Sequence, residues 1–282
     1  MTGVSGTTIS GYVDTSMNWQ FGDKKTVPGR LNNSLDVQNG FNLNAVEFCV
    51  SKELSEDSDA WEAGYSVGLL MGHVVKEYPY PLSDGIALEN AYIDLRAPVG
   101  NGLDFSFGLI GSINGYEAVA SQKNSNFSHS YAYYLTHTFL TGGSVKYTFD
   151  INDWLLTATA GIGNCYAPYT SFNARGSDSL RFSYMGGLDL IFPESTGFLE
   201  GAKFHISAVN GLDGDGTLDR DSQPNQVDLN TFVCVPLPVK GLSFSLVYDY
   251  VGRPHRDGLS PVSSGWANIY ALYVDMVQAA RL

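Results

Sequence analysis

Over most of this chain the side chains alternate between apolar and polar at every second position, and that period is the signature of β-strands with two unlike faces. Trp61, Ala63, Tyr65, Val67, Leu69 and Met71 share one face of such a strand, and Glu62, Gly64, Ser66 and Gly68 share the other. Leu103, Phe105, Phe107 and Leu109 oppose Asp104, Ser106 and Gly108 in the same way. Val145, Tyr147 and Phe149 oppose Ser144, Lys146 and Thr148, and Leu242, Phe244, Leu246, Tyr248 and Tyr250 oppose Ser243, Ser245 and Asp249. The polar faces are rich in Gly and Ser, which leave room beside the backbone.

Noisier strands are expected near 7–19, 40–51, 87–96, 154–164, 179–192, 200–210, 226–235 and 265–276, giving about 12 in all. Tight-turn sequences at 98–102 and 149–153 and a short link at 236–241 alternate with longer polar segments near 20–39, 73–86, 112–141, 165–178 and 211–225. Short turns on one side and long loops on the other are the plan of an antiparallel transmembrane β-barrel, and about 20–25 residues per strand and connection fit that plan. The expected fold is therefore all-β, with 1–282 as a single barrel domain. Aromatics near expected strand ends, Trp19, Trp61, Tyr92, Trp154, Phe192 and Trp266, suit the girdles of such a barrel.

Composition agrees. Charged residues are 16%, low for a water-soluble domain. No apolar run reaches the roughly 18 residues that a spanning helix needs, so contact with lipid must come through alternation. A net charge of -13 excludes nucleic acid as an expected partner, because phosphate binding needs clustered Lys and Arg. Acidic groups lining a tube favour cations, whereas the same groups on loops only keep them solvated. Cys49, Cys165 and Cys234 form neither a CxxC pair nor a metal-ligand spacing. Residues 1–6 lack the basic and apolar regions of an export signal, so a mature or trimmed chain is expected.

Several segments, in order, resemble a known family. They are Gly11-Tyr12-Val13-Asp14-Thr15-Ser16, Gln38-Asn39-Gly40-Phe41-Asn42-Leu43-Asn44, Glu89-Asn90-Ala91-Tyr92-Ile93-Asp94-Leu95, the run from Ala97 to Asp104, and Ile113-Asn114-Gly115-Tyr116-Glu117. Over about 7–165 the chain resembles the putative β-barrel porin-2 family, the OmpL-like porins of Gram-negative bacteria. The resemblance implies an outer-membrane barrel, a diffusion channel and no catalytic residues. Its partners would be outer-membrane lipid and small polar solutes or cations, with a homo-oligomer or a surface-assembly partner as further options. The chain ends Ala279-Ala280-Arg281-Leu282 rather than on the terminal aromatic of such barrels, so either a small member or one lacking C-terminal strands is expected.

Polar faces pointing inward would make Asp14, Glu62, Asp94, Arg96, Asp104, Lys146, Arg181, Asp189 and Asp249 pore-lining. The alternative is a filled barrel in which these charges pair with one another. Segment 112–141, with Tyr116, Glu117, Lys123 and Asn126, is the candidate constriction loop; an exposed loop is its alternative. Asp213, Asp215, Asp219 and Asp221 are spaced like a calcium loop, but Leu218 and Pro224 stand where an EF-hand needs Gly and Glu. Ca2+ is the one metal considered, and no other cofactor is expected.

No phosphate loop, nucleophile elbow or zinc motif occurs, so an enzyme is not expected. His205-Ile206-Ser207 places a base and a hydroxyl on one strand face, as in the outer-membrane phospholipase barrel, but nothing in the sequence supplies its third residue; Asn210 is merely close by. Three readings follow: a passive channel, a structural or surface-interaction barrel, and a phospholipase-like enzyme. The Gly/Ser-rich polar faces favour the first.

Overall fold

The computed structural model describes residues 6–19, 21, 26–27, 37–55, 59–77, 85–118, 120, 123–136, 139–164, 182–212, 226–253 and 265–276. Twelve strands form the wall: β1 (Thr8–Asn18), β4 (Gly40–Lys52), β5 (Glu62–Met71), β6 (Ile86–Ala97), β7 (Leu103–Gly111), β8 (Phe139–Ile151), β9 (Trp154–Asn164), β10 (Phe182–Ile191), β11 (Lys203–Leu212), β12 (Gln226–Pro236), β13 (Leu242–Arg253) and β14 (Gly265–Met276). Two two-residue strands, β2 (Thr26–Val27) and β3 (Val37–Gln38), pair with each other in the first long connection. Each wall strand is antiparallel to the next in sequence, so the wall is an uninterrupted meander. The only described α-helix, α1 (Tyr131–Leu135), is a little over one turn long. No described helix is long and apolar enough to cross a membrane.

The connections alternate as the turn chemistry dictates. Asn152 and Asp153 join β8 to β9 with φ of 52° and 67°. Those are the left-handed conformations of the two-residue hairpin turn that matches strand twist, and Asn and Asp tolerate them. At the same end, Gly102 donates to the Val99 carbonyl at 3.0 Å, and Leu242 to that of Val239 at 2.9 Å.

Register sets the two faces. Along β13, Phe244, Leu246 and Tyr248 point to one side, while Ser245, Val247 and Asp249 point to the other and are at most 2% exposed. The outward set repeats round the wall as Ile9, Val13, Leu43, Phe48, Val67, Ile93, Phe107, Ile162, Leu188, Ile206, Leu246 and Leu272, all exposed. Phe105, Leu69 and Phe244 lie on the same outer face. The inward face holds the buried polar groups, among them Ser66, Asp104, Ser207, Asp228, Asn230 and Ser245. A water-soluble protein has the opposite arrangement. A continuous exposed apolar belt on strands whose backbone groups are paired with each other is the condition for spanning a bilayer.

The sheet is strongly curled. Tyr116, which follows β7 in mid-sheet, donates a hydrogen bond to Ser245 Oγ of β13 at 2.8 Å and packs against Tyr273 of β14, with ring centroids 4.7 Å apart and the rings tilted by 33°. The wall therefore wraps round an interior as a β-barrel.

Trp61 and the contacting Trp154–Phe192 pair (ring centroids 4.9 Å apart) mark the short-turn end, and Trp19 and Trp266 the other. Tyr92 is a correction to the expected girdle. It faces inward in mid-strand and packs on the interior cluster of Ile110, Leu140, Met185 and Val209, because its partners across β5 and β7 place it on the same face as Asp94.

Candidate functional site

The interior is built from the inward positions and two inserts. One insert is the 3-10 turn His73–Glu77, whose Val75 packs with Ala45, Leu70 and Ala87. The other is the segment 112–136, whose Ile113 packs on the second interior cluster. Besides the Tyr116 contacts above, Leu135 O accepts from Gln226 Nε2 of β12 at 3.3 Å, and Asn114 Oδ1 accepts from Ser207 Oγ of β11 at 2.7 Å. The segment thus touches β11, β12, β13 and β14 from inside the wall.

Eight of the nine candidate pore-lining residues are described, and all eight take inward positions. Asp14 accepts from Asn44 Nδ2 at 3.0 Å, and Asp94 from Ser106 Oγ at 2.5 Å. Arg96 forms a two-pronged pair with Asp104 (Nε–Oδ1 2.6 Å, Nη2–Oδ2 2.8 Å), and Lys146 approaches the same carboxylate at 3.7 Å. Arg96 also donates to the Ser55 carbonyl, and Glu62 accepts from the Ser55 N–H and hydroxyl, tying Ser55 to the rim. Asp189 meets Lys203 Nζ at 3.0 Å and His205 Nδ1 at 2.9 Å. Asp249 accepts from Asn230 Nδ2 at 2.6 Å and is 1% exposed. Arg181 lies outside the described residues, as do Asp213, Asp215, Asp219 and Asp221. Among the described residues no His, Cys, Asp or Glu group is arranged to hold a metal.

Of the candidate constriction residues, Tyr116 and Glu117 are interior. Glu117 accepts from the Ser130 N–H and hydroxyl at 2.9 and 2.7 Å, folding the segment back on itself. Burial pushes the Tyr116 phenol up, and its hydrogen bond to Ser245 partly offsets this. Lys123 and Asn126 are exposed. Glu117 and Asp249 border one enclosed space of about 10 Å³ with Tyr116, Ser130 and Tyr273, room for roughly one water.

Several inward polar residues were not singled out from the sequence. Gln226, Asp228 and Asn230 alternate on β12, and their period of two could have revealed them. Asn114 and Glu89 could not be found that way, the first because it sits on a non-strand segment. Glu89 lies at the β-bulge between the Gly68–Asn90 and Leu69–Leu88 pairs, where alternation breaks.

With inside and outside assigned, the chain falls in a class: an antiparallel β-barrel with a lipid-compatible exterior and a polar interior. It belongs to the family described as putative beta-barrel porin-2, OmpL-like, whose model matches residues 6–199, from ahead of β1 to the link before β11. No curated protein and no solved structure matches the chain. Membership marks a channel-type protein of a kind that typically resides in the outer membrane and is generally not enzymatic.

Proposed function

We propose that the chain is a narrow, cation-preferring channel of a Gram-negative outer membrane, passing ions and small polar solutes by diffusion. The observation that carries this reading is the charge imbalance of the inward face. Asp14, Glu47, Glu62, Asp94, Asp104, Asp189, Asp228, Asp249 and Asp275 share it with Arg96, Lys146 and Lys203. An acidic excess in a confined polar passage raises the local concentration of cations and lowers that of anions. Asp104 and Asp189 are paired with bases, so this reading puts selectivity mainly on Asp249 and Glu117, which border the same small interior space.

The test is the zero-current potential of the reconstituted protein across a KCl gradient. The reading expects the sign of a cation-selective pore. Asp249→Asn, which keeps an oxygen for Asn230, should move that potential toward zero with little change in folding. A wild-type potential of the anion-selective sign would overturn the cation preference.

A further inference from the structure

We propose that Ser207 is an acyl-accepting nucleophile, with His205 as its base and Asp189 positioning that base, and that it acts on short-chain carboxylic esters entering the barrel interior. The three side chains are in line. Asp189 and His205 are register partners across β10 and β11, and Ser207 follows His205 on the same inward face. Asp189 Oδ1 lies 2.9 Å from His205 Nδ1, and His205 Nε2 lies 2.8 Å from Ser207 Oγ. These are the nucleophile–base and base–orienter contacts that define such a constellation on any fold.

The imidazole is held on both faces of the problem, angle and depth. Its ring stacks on Phe232 at 4.7 Å and 17°, and its own main-chain carbonyl accepts from Thr231 Oγ1 at 2.8 Å. Lys203 Nζ, 3.0 Å from Asp189 Oδ1, anchors the carboxylate. Asn210, the neighbour considered from the sequence, points out of the barrel, so the third member comes from the adjacent strand.

Asn114 supplies the remaining donor. Its Oδ1 lies 2.7 Å from Ser207 Oγ, and its buried Nδ2 has no hydrogen-bond partner. A half-turn of this amide exchanges O and N. Nδ2 then donates to Ser207 Oγ, the Ser207 hydroxyl donates to His205 Nε2, and a buried orphan N–H is replaced by a less costly orphan carbonyl. The second N–H of that amide is left for a developing oxyanion. Gly187, whose added Cβ would come within 3.1 Å of Ser207 Cβ and Ile113 Cδ1, keeps the approach clear of a side chain. Ile113, Met185 and Val209 give an apolar surrounding for a short acyl chain.

In the reaction, Ser207 Oγ attacks the ester carbonyl carbon while its proton passes to His205 Nε2. The C–O bond to the alcohol then breaks, and the alcohol leaves with that proton. Water, deprotonated by the same nitrogen, hydrolyses the acyl–Ser207 ester to the free acid and restores the hydroxyl. Ser207 is 2% exposed and its hydroxyl also reaches the Ile113 carbonyl at 3.3 Å, so reaction requires Ile113 to move aside while Asn114 stays in place.

The folded protein in lipid would be treated with a short-alkyl fluorophosphonate and the adduct located by peptide mass spectrometry, with heat-modified migration as the folding control. The expected result is phosphonylation of Ser207, absent in Ser207→Ala, slowed at least about 100-fold in His205→Asn, and faster in Ile113→Ala. Asp189→Asn should shift the pH dependence of labelling, which a loss of packing alone would not do. No adduct at Ser207 in folded wild type and Ile113→Ala, or a rate indifferent to His205→Asn, overturns the proposal. Neither readout depends on whether the barrel conducts.

Discussion

Arg96 shows what a charge inside this barrel must do to be tolerated. Its guanidinium has one geometry that satisfies both oxygens of Asp104, which is 7% exposed, and a further N–H reaches the Ser55 carbonyl. Removing one member of a buried pair leaves the other charge uncompensated, at a cost of about 3–5 kcal/mol. Lys146 remains at 3.7 Å, so Arg96→Ala should lose about 3 kcal/mol, the lower end of that range, measured by urea unfolding in lipid. At this scale the sequence was partly legible. Period two assigned Asp94, Arg96, Asp104 and Asp249 to one face, because a strand fixes side without reference to anything distant. Their partners were not legible, since Asn230–Asp249 and Asp189–His205 depend on register between strands, which alternation alone does not specify.

Strands, turns and inserts are the next scale. The outer face of β7 carries Phe107 at mid-strand, 46% exposed. If that face meets hydrocarbon, Phe107→Arg should cost about 2–4 kcal/mol. A negligible cost in the same lipid unfolding assay would place Phe107 in water. The inner face meets a different limit. At Gly163 an added Cβ would sit 2.4 Å from Leu140 Cγ, a side chain that is 1% exposed and has nowhere to retreat. Gly163→Ala should therefore lose about 1–3 kcal/mol through overpacking. Element positions were the most legible feature of the chain, because alternation and Asn-Asp or Pro-Gly turns are local signals. The 3-10 turn His73–Glu77 and its contact with Leu70 were not legible, since an apolar pair such as Val74-Val75 in a loop carries no period.

At the scale of the whole molecule, the proposed function combines an apolar exterior, an acid-rich interior and a segment that crosses that interior into a constricted channel. The family model ends at 199, yet β11 to β14 continue the same antiparallel meander and supply the wall that Tyr116 and Leu135 contact. The barrel class was legible from repeated alternation and unequal connections. How far the interior is filled was not, because it depends on where 112–136 rests against strands more than 90 residues further along. Single-channel current in a planar bilayer tests this most directly, comparing wild type with a variant in which 115–135 is replaced by a short Gly/Ser turn. The account predicts small discrete steps for wild type and clearly larger ones for the shortened chain. Folded, inserted protein that carries no current in either form would contradict it.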